Sequence, residues 1–461
     1  MGLASNRTIA FLLVITAIAA PSITLATNGY FLIGYGAKSR SMGGVGVAYG
    51  QDGLAAGANP ATMVDVGTRI DLGGEYFGPK RGFVHDSATL ESGFPGSNGP
   101  VNHRSESNVF LIPSMGAVYK FNRQMSVGLA VIGNGANTRY DQKVPGLPGC
   151  LDGNQVPGQT GSTAFNFNCL GEPTVGASLL QMQMLPSLAY NVTKEHTIGA
   201  SLAIGVQQFR AYGLGAFGAL GFSSSNEDLT NQGNDYSYGA GVRLGYMGKF
   251  FKKRLTIGAN WASKVYMTRF DKYQNLFAEN GKFNIPEHRT VGFALKATKQ
   301  LTIAGDFQRI KYGDIRAVAN CGPNAADPNS FFTCGTTVTG FSNGLGFGWE
   351  DQNVYKIGIN YDYNKQFSFR AGYNYGKTPI QDEEVLFNFL APAVNEQHVT
   401  LGASYRPSRN SEWSFNYMHA FSNTVKGPTV FGPQSGLPVN GENASIDLKI
   451  NSFGIAFGYK L

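Results

Sequence analysis

Charge is scarce in this chain. Asp, Glu, Lys and Arg make up 15% of its 461 residues, where a soluble domain carries about 25%. Long apolar runs are missing too. Beyond the first 26 residues nothing approaches the ~18 apolar residues a membrane-spanning helix needs, so helical spans are excluded. There are only four cysteines. Cys150 with Cys169 and Cys321 with Cys334 form two close pairs in Gly/Pro/Asn-rich stretches, with no CxxC and no nearby histidine to suggest a metal. In an exported chain they read as two local disulfides. No G-x-S-x-G elbow occurs, and none of His85, His103, His196, His288, His398 and His419 sits in a recognisable catalytic motif. An outer-membrane lipase or other enzyme is therefore not expected. No cofactor motif or energy-coupling sequence is evident, and the net charge of +7 is too diffuse to point to nucleic acid.

Glycine (61 residues) and aromatics (12%) are abundant instead, and the apolar residues alternate. Tyr355-Ile357-Ile359-Tyr361-Tyr363 interleaves with Lys356, Gly358, Asn360 and Asp362. Phe367-Phe369-Ala371-Tyr373-Tyr375 interleaves with Ser368, Arg370, Gly372 and Asn374. The last nine residues, Phe453 to Leu461, do the same, although they end on Leu461 where barrels of this kind usually end on an aromatic. Low charge with period-2 alternation is what strands facing lipid on one side and a polar lumen on the other require. The sheet must close, because open edges would leave amides unsatisfied in the bilayer.

The connections alternate in length. Short turns fall near 122–124, 193–195, 250–252, 298–300, 364–366 and 407–409. Long loops fall near 78–108, 140–178, 212–236, 269–286, 313–351, 378–396 and 424–444. Six turns and seven loops require 14 strands, with the short turns in the periplasm. Residues 1–26, with Arg7 ahead of an apolar run and small residues near Ala26, read as a secretory signal peptide; 27–67 has no clean alternation; 68–461 is the barrel. The fold class is all-β: an antiparallel transmembrane β-barrel whose lumen is plugged by an N-terminal hatch at 27–67. Gly133-Asn134-Gly135 breaks the alternation of the third strand and allows positive φ and a bulge, or marks an ordinary strand end at the loop.

Gly29-Tyr30, Met42-Gly43-Gly44-Val45-Gly46-Val47-Ala48, Asp52-Gly53-Leu54-Ala55-Ala56 and Asn59-Pro60-Ala61 resemble the N-terminal hatch of the FadL family. Gly348-Trp349-Glu350-Asp351-Gln352 and Arg370-Ala371-Gly372-Tyr373-Asn374-Tyr375 extend the likeness towards the C-terminus. The resemblance implies a passive outer-membrane importer of long-chain fatty acids or, in one branch, aromatic hydrocarbons. Ligand would be caught among outer loops, passed to a lumen pocket and released sideways into the membrane at a kinked third strand, here Gly133, Asn134 and Gly135. The expected setting is a Gram-negative outer membrane, with hydrophobic small molecules and membrane lipid as partners, and a monomer.

The apolar loop Gly213–Phe222, with Leu214, Phe217, Leu220 and Phe222, is a candidate capture surface, and Leu386–Leu390 could extend or cap it. Arg243 and Arg370 fall in the inward phase of their strands. Either could pair with a fatty-acid carboxylate or brace the plug. Hatch residues Phe31 and Tyr35 could line the pocket. If the cargo is an uncharged hydrocarbon, no lumen arginine is needed. A general diffusion porin and an adhesive barrel remain as rival readings.

Overall fold

The computed structural model describes residues 27–86, 100–140, 174–215, 222–225, 227–322, 335–427 and 444–461. Fourteen strands close on themselves. They are β1 (Arg69–Asp86), β2 (Phe110–Lys120), β3 (Met125–Tyr140), β4 (Val175–Asn191), β5 (His196–Tyr212), β6 (Asp235–Phe250) and β7 (Leu255–Ala262). Then come β8 (His288–Lys296), β9 (Leu301–Ile310), β10 (Gln352–Asp362), β11 (Phe367–Gly376), β12 (Gln397–Tyr405), β13 (Ser411–Gly427) and β14 (Ala444–Lys460). Each pairs antiparallel with its neighbour in sequence, and β1 pairs with β14 from Arg69↔Lys460 to His85↔Ala444. Two short strands, Pro100–Arg104 and Tyr266–Met267, add to β1 and β6 within the long loops.

All six short connections lie where the sequence places them, and both barrel termini share their end, with Leu461 N donating to Thr68 O (3.1 Å). Alternation decides facing. On β10, Tyr355 and Ile357 are 54% and 52% exposed, while Asn360 is 2% exposed and Lys356 reaches inward to donate to Ile33 O (2.9 Å). Exposed aromatics gather at the short-turn end, among them Tyr119, Phe251, Tyr363, Trp413 and Tyr459, as an interfacial girdle requires. The first loop begins later than expected, because β1 runs on to Asp86.

Residues 27–67 fill the barrel and contain a helix at Ala37–Arg40 and 3₁₀ turns at Ala55–Gly57 and Pro60–Asp65. Their backbone amides find acceptors and donors on the wall. Gly46 N and Val47 N donate to Asp306 Oδ2 (2.8 and 3.1 Å), Gly43 N to Thr400 Oγ1 (2.8 Å) and Gly53 N to Asp71 Oδ2 (2.7 Å). Asn59 caps the last turn by accepting from Ala61 N (3.0 Å), and its Nδ2 donates to Tyr246 O on β6 (2.9 Å). Pro60 occupies the first position of that turn, where its missing N–H costs nothing. At the short-turn end Lys38 pairs with Glu412 (2.5 Å), which Arg69 also reaches (3.2 Å).

This contact needs glycine on the wall. A Cβ at Gly372 would collide with Gly43 N, one at Gly258 with Val47 O, and one at Gly199 with Ala61 N. Gly258→Val should therefore unseat the hatch, at a cost of about 1–3 kcal/mol, while the barrel still closes. Planar-bilayer recordings should show open-channel steps in this variant and none in the parent. Equal conductance in the two would mean that the hatch does not depend on this seat.

Candidate functional site

Two chambers lie on the hatch. The outer one sits beneath the long loops and is walled by Tyr30 of the hatch, Ala136 of β3, Ala177 and Leu179 of β4, Phe209 of β5, and loop residues including Leu214, Phe277, Phe283, Val318, Leu345, Trp349, Phe387 and Leu390. Among the described residues no charged side chain lines it. Edge-to-face contacts hold the walls: Tyr312–Trp349 at 5.1 Å, Phe209–Phe277 at 4.6 Å and Phe222–Phe387 at 5.5 Å. Trp349 Nε1 donates to Asn388 Oδ1 (2.6 Å), whose own amide donates to Phe347 O and Glu384 O (2.7 Å each). Tyr312 Oη donates to Asn28 O (2.6 Å) and ties the first hatch residues to the same cluster.

The inner chamber is reached along β3. Ala136 faces the outer chamber and Ile132 the inner one, about 13 Å apart at ~3.3 Å per residue. Asn134 lies between them, buried, accepting from Leu32 N (3.3 Å). The inner chamber is lined by Leu32, Tyr35, Arg40 and Leu54 of the hatch, Glu75 of β1, Ile112–Ser114 of β2, Val131–Gly133 of β3, and Asn416 and Ile455.

At this chamber the barrel wall is incomplete. β2 pairs with β3 only from Met115↔Val131 to Lys120↔Ser126. Beyond that, β2 stays with β1 up to Phe110, and β3 stays with β4 up to Tyr140. Continuing the register would set Pro113 opposite Gly133. A proline offers no N–H to a ladder, and a glycine no side chain to pack across it. The hatch supplies a substitute bond, Gly135 N to Tyr30 O (3.2 Å). This location matches the expected interruption, but its form does not. Neither Gly133 nor Gly135 has positive φ, and the register to β4 passes through both without a bulge. The break is a lost neighbour on the other side, caused jointly by Pro113, a residue the sequence reading passed over although a proline inside a strand pattern marks an edge.

Leu214 lines the outer chamber and Phe222 buttresses it through Phe387, so these two residues are buried rather than displayed; Phe217 and Leu220 lie outside the described residues. Phe387 and Leu390 join it, whereas the Tyr30, Phe277, Phe283 and Trp349 walls come from segments with no shared pattern. Arg243 and Arg370 do point inward, but both are taken up by other partners. Arg243 donates to Gly57 O (2.7 Å) and Gln183 Oε1 (3.0 Å), and Arg370 to Gln51 Oε1 (3.2 Å) and Ser404 Oγ (2.8 Å). Neither lines either chamber. Phe31 packs on His288 (5.5 Å) outside both cavities, and Tyr35 lines the inner one. Asn59, Pro60 and Ala61 anchor the hatch. Of the cysteines, Cys321 is not free; Cys150, Cys169 and Cys334 lie outside the described residues, as does the segment 1–26.

Residues 24–457 match the model of a family described as outer membrane protein transport protein (OMPP1/FadL/TodX). Among solved structures, the Pseudomonas putida toluene transporter TodX is 18% identical and covers 94% of this chain and 99% of its own, with a TM-score of 0.61. The Ralstonia pickettii toluene transporter TbuX is 20% identical, covers 93% and 99%, and scores 0.56. A Pseudomonas aeruginosa FadL homologue is 13% identical, covers 94% and 99%, and scores 0.62. No curated protein sequence matches.

One outer-loop group titrates near neutrality. Glu384 accepts from Gly322 N (2.7 Å) and packs under Gly348, whose φ of 67° only glycine adopts readily. Burial pushes its carboxyl up to about 7, against the Gly322 hydrogen bond and helped by the Glu383 charge. A raised acid stabilises the folded arrangement fully below the ordinary value of 4.5, and that contribution is lost as pH rises through about 7. The loops over the outer chamber should therefore loosen between pH 5 and 8. Trp349 fluorescence, with Trp261 and Trp413 replaced by Phe, should change with a midpoint near 7 and stay flat in Glu384→Gln. A flat profile in the parent would remove Glu384 as the cause.

Proposed function

Because the chain belongs to the OMPP1/FadL/TodX family of outer membrane transport proteins, we propose that its cargo is a small uncharged hydrophobic compound such as an aromatic hydrocarbon. The family sets the protein in the Gram-negative outer membrane as a transporter of hydrophobic molecules; the cargo class is inferred from the chambers. The observation that carries the reading is the outer chamber, which has apolar, aromatic-rich walls and no charged lining among the described residues. Burying about 200 Å² of ring surface there is worth about 5 kcal/mol. Set against the cost of immobilising the ligand, that gives weak capture, which suits a passive route in which each site must also let go.

The fatty-acid reading draws its support from the family and from the FadL homologue. It would need a cationic partner for the carboxylate, and Arg243 and Arg370 are both committed to other contacts. The toluene transporters among the structural relatives fit the chamber chemistry better. On this reading cargo moves from the outer chamber past Asn134 to the inner one, and leaves between β2 and β3. A porin would need an open aqueous lumen, which the hatch fills.

Uptake of labelled toluene and oleate by cells carrying or lacking the protein tests the cargo. Toluene should enter in a protein-dependent manner, at least tenfold above oleate; the reverse order would restore the fatty-acid reading. Gly133→Trp tests the exit. A Cβ there meets only Gln181 O at 3.6 Å, so the variant should assemble yet lose at least tenfold in uptake. Normal uptake by an assembled Gly133→Trp barrel would defeat release at this gap.

A further inference from the structure

We propose that the lipid-facing side of the β1/β14 seam is a docking site for a phosphorylated lipid of the outer leaflet. Its phosphate sits between Lys80 and Lys449, and an acyl chain lies in a furrow lower on the same wall. The site is separate from the cargo route and does not depend on which cargo is carried. Lys80 and Lys449 stand directly opposite one another in the β1–β14 register, and both are exposed. Like charges opposed across an antiparallel pair destabilise it. Neither ammonium has an ion-pair or hydrogen-bond partner among the described residues. The carboxylate two residues on, Asp447, gives both oxygens to Arg104 (2.7 and 2.6 Å), so it does not neutralise the lysines. An anion held between the two ammonium groups would remove the repulsion.

Their height on the barrel selects the anion. The Lys80↔Lys449 pair lies ten residues up both strands from Ile70↔Tyr459, and Tyr459 belongs to the girdle at the short-turn end. A tilted strand crosses the hydrocarbon layer in about 9–11 residues. The lysines therefore stand at the opposite boundary, on the long-loop side, which in barrels of this kind is the outer one. Lipid phosphates lie at that level. Just inside it Tyr76 and Phe453 face each other across the seam, and Tyr417 Oη donates to Asn451 Oδ1 (3.0 Å), amphipathic rings of the sort that mark a membrane interface.

A second feature separates a lipid from a free anion. Below these rings the lipid-facing wall is furrowed. Ala403 faces outward between Phe369 and Phe415, its register partners on either side, and Leu401, Phe453 and Ile455 complete the edges. Those five larger side chains are between 46% and 57% exposed, so the short methyl leaves a trough between them in which a flexible hydrocarbon chain can lie. Phe453 is four residues below Lys449 on β14, about 13 Å along the strand, a distance that one acyl chain spans. A free phosphate would use the lysines and leave the furrow empty.

The test measures lipid binding to the full-length protein, purified in a non-ionic detergent, by native mass spectrometry. The probes are bisphosphorylated lipid A, its dephosphorylated form and inorganic phosphate. The parent should bind the phosphorylated lipid at least tenfold tighter than the dephosphorylated one, since each lysine near a charged lipid surface contributes several-fold. Lys80→Gln with Lys449→Gln should abolish that preference, and Lys80→Arg with Lys449→Arg should keep it. Ala403→Trp, which fills the furrow, should weaken both lipids alike; heat-modifiable mobility on gels checks that each variant assembles. Equal binding of the two lipids by the parent, or an unchanged preference in the assembled glutamine variant, would overturn the site. Displacement of lipid A by an equimolar amount of inorganic phosphate would also overturn it, leaving an anion site only. Unchanged affinity in Ala403→Trp would overturn the acyl-chain placement and with it the choice of a lipid.

Discussion

The hatch lies on the barrel wall at backbone distance, and the rest of the molecule follows from that contact. A polypeptide packed inside a barrel carries its own amides into a space where lost hydrogen bonds are costly. Here they are met by inward side chains such as Asp306, Thr400 and Asp71. Those side chains reach the hatch only because neighbouring wall positions are glycines. Gly258, Gly372 and Gly199 each leave room where a single methyl would strike the hatch backbone. The abundance of glycine in the chain is thus partly a packing requirement of the lumen.

That close seating assigns the lumen charges before any ligand arrives. Arg243 holds Gly57 O, Arg370 holds Gln51, and Lys356 holds Ile33 O. Charges buried in this way are stable only while partnered, so recruiting one of them for cargo would loosen the plug. The chambers described lie above the hatch, under the loops, where the lining is apolar, and beside the gap between β2 and β3.

The strands were legible in the sequence because lipid imposes a period on every one of them. Tyr355 to Tyr363 alternate for the same reason as Phe453 to Leu461, and a short turn between two such runs leaves little freedom. The hatch was legible from the lack of alternation over 27–67 and from motifs such as Asn59-Pro60-Ala61 that resemble the FadL-family hatch; that Asn59 caps a turn there appeared only in the structure. The chamber was not. Tyr30, Phe277, Val318, Trp349 and Phe387 come from five segments that only tertiary folding assembles, and no spacing links them. The arginines were placed on the correct face, but facing does not reveal a partner: Gln51 lies more than 300 residues from Arg370 in sequence. The gap was half legible. Gly133 marked its position on one strand, while its cause also needed Pro113 on the strand before, and the pair becomes visible only once the register is known.

An incomplete wall within a bilayer raises a problem that the hatch also answers. Strand groups facing a missing neighbour must find partners, because lipid offers none. Gly135 N finds Tyr30 O and Leu32 N finds Asn134 Oδ1, so the hatch acts as a partial substitute for the absent ladder as well as a plug. The two contacts are few and long compared with the ties that hold Lys38, Gly46, Gly53 and Asn59. Each ordinary hydrogen bond contributes about 0.5–1.5 kcal/mol, so expelling the whole hatch would oppose many of them together, whereas shifting Tyr30–Leu32 opposes these two wall bonds and the ring contacts of Tyr30 and Phe31. The low-cost motion is the local one. It lies beside Asn134, between the two chambers and next to the opening, which makes sideways release compatible with a plug that stays in place.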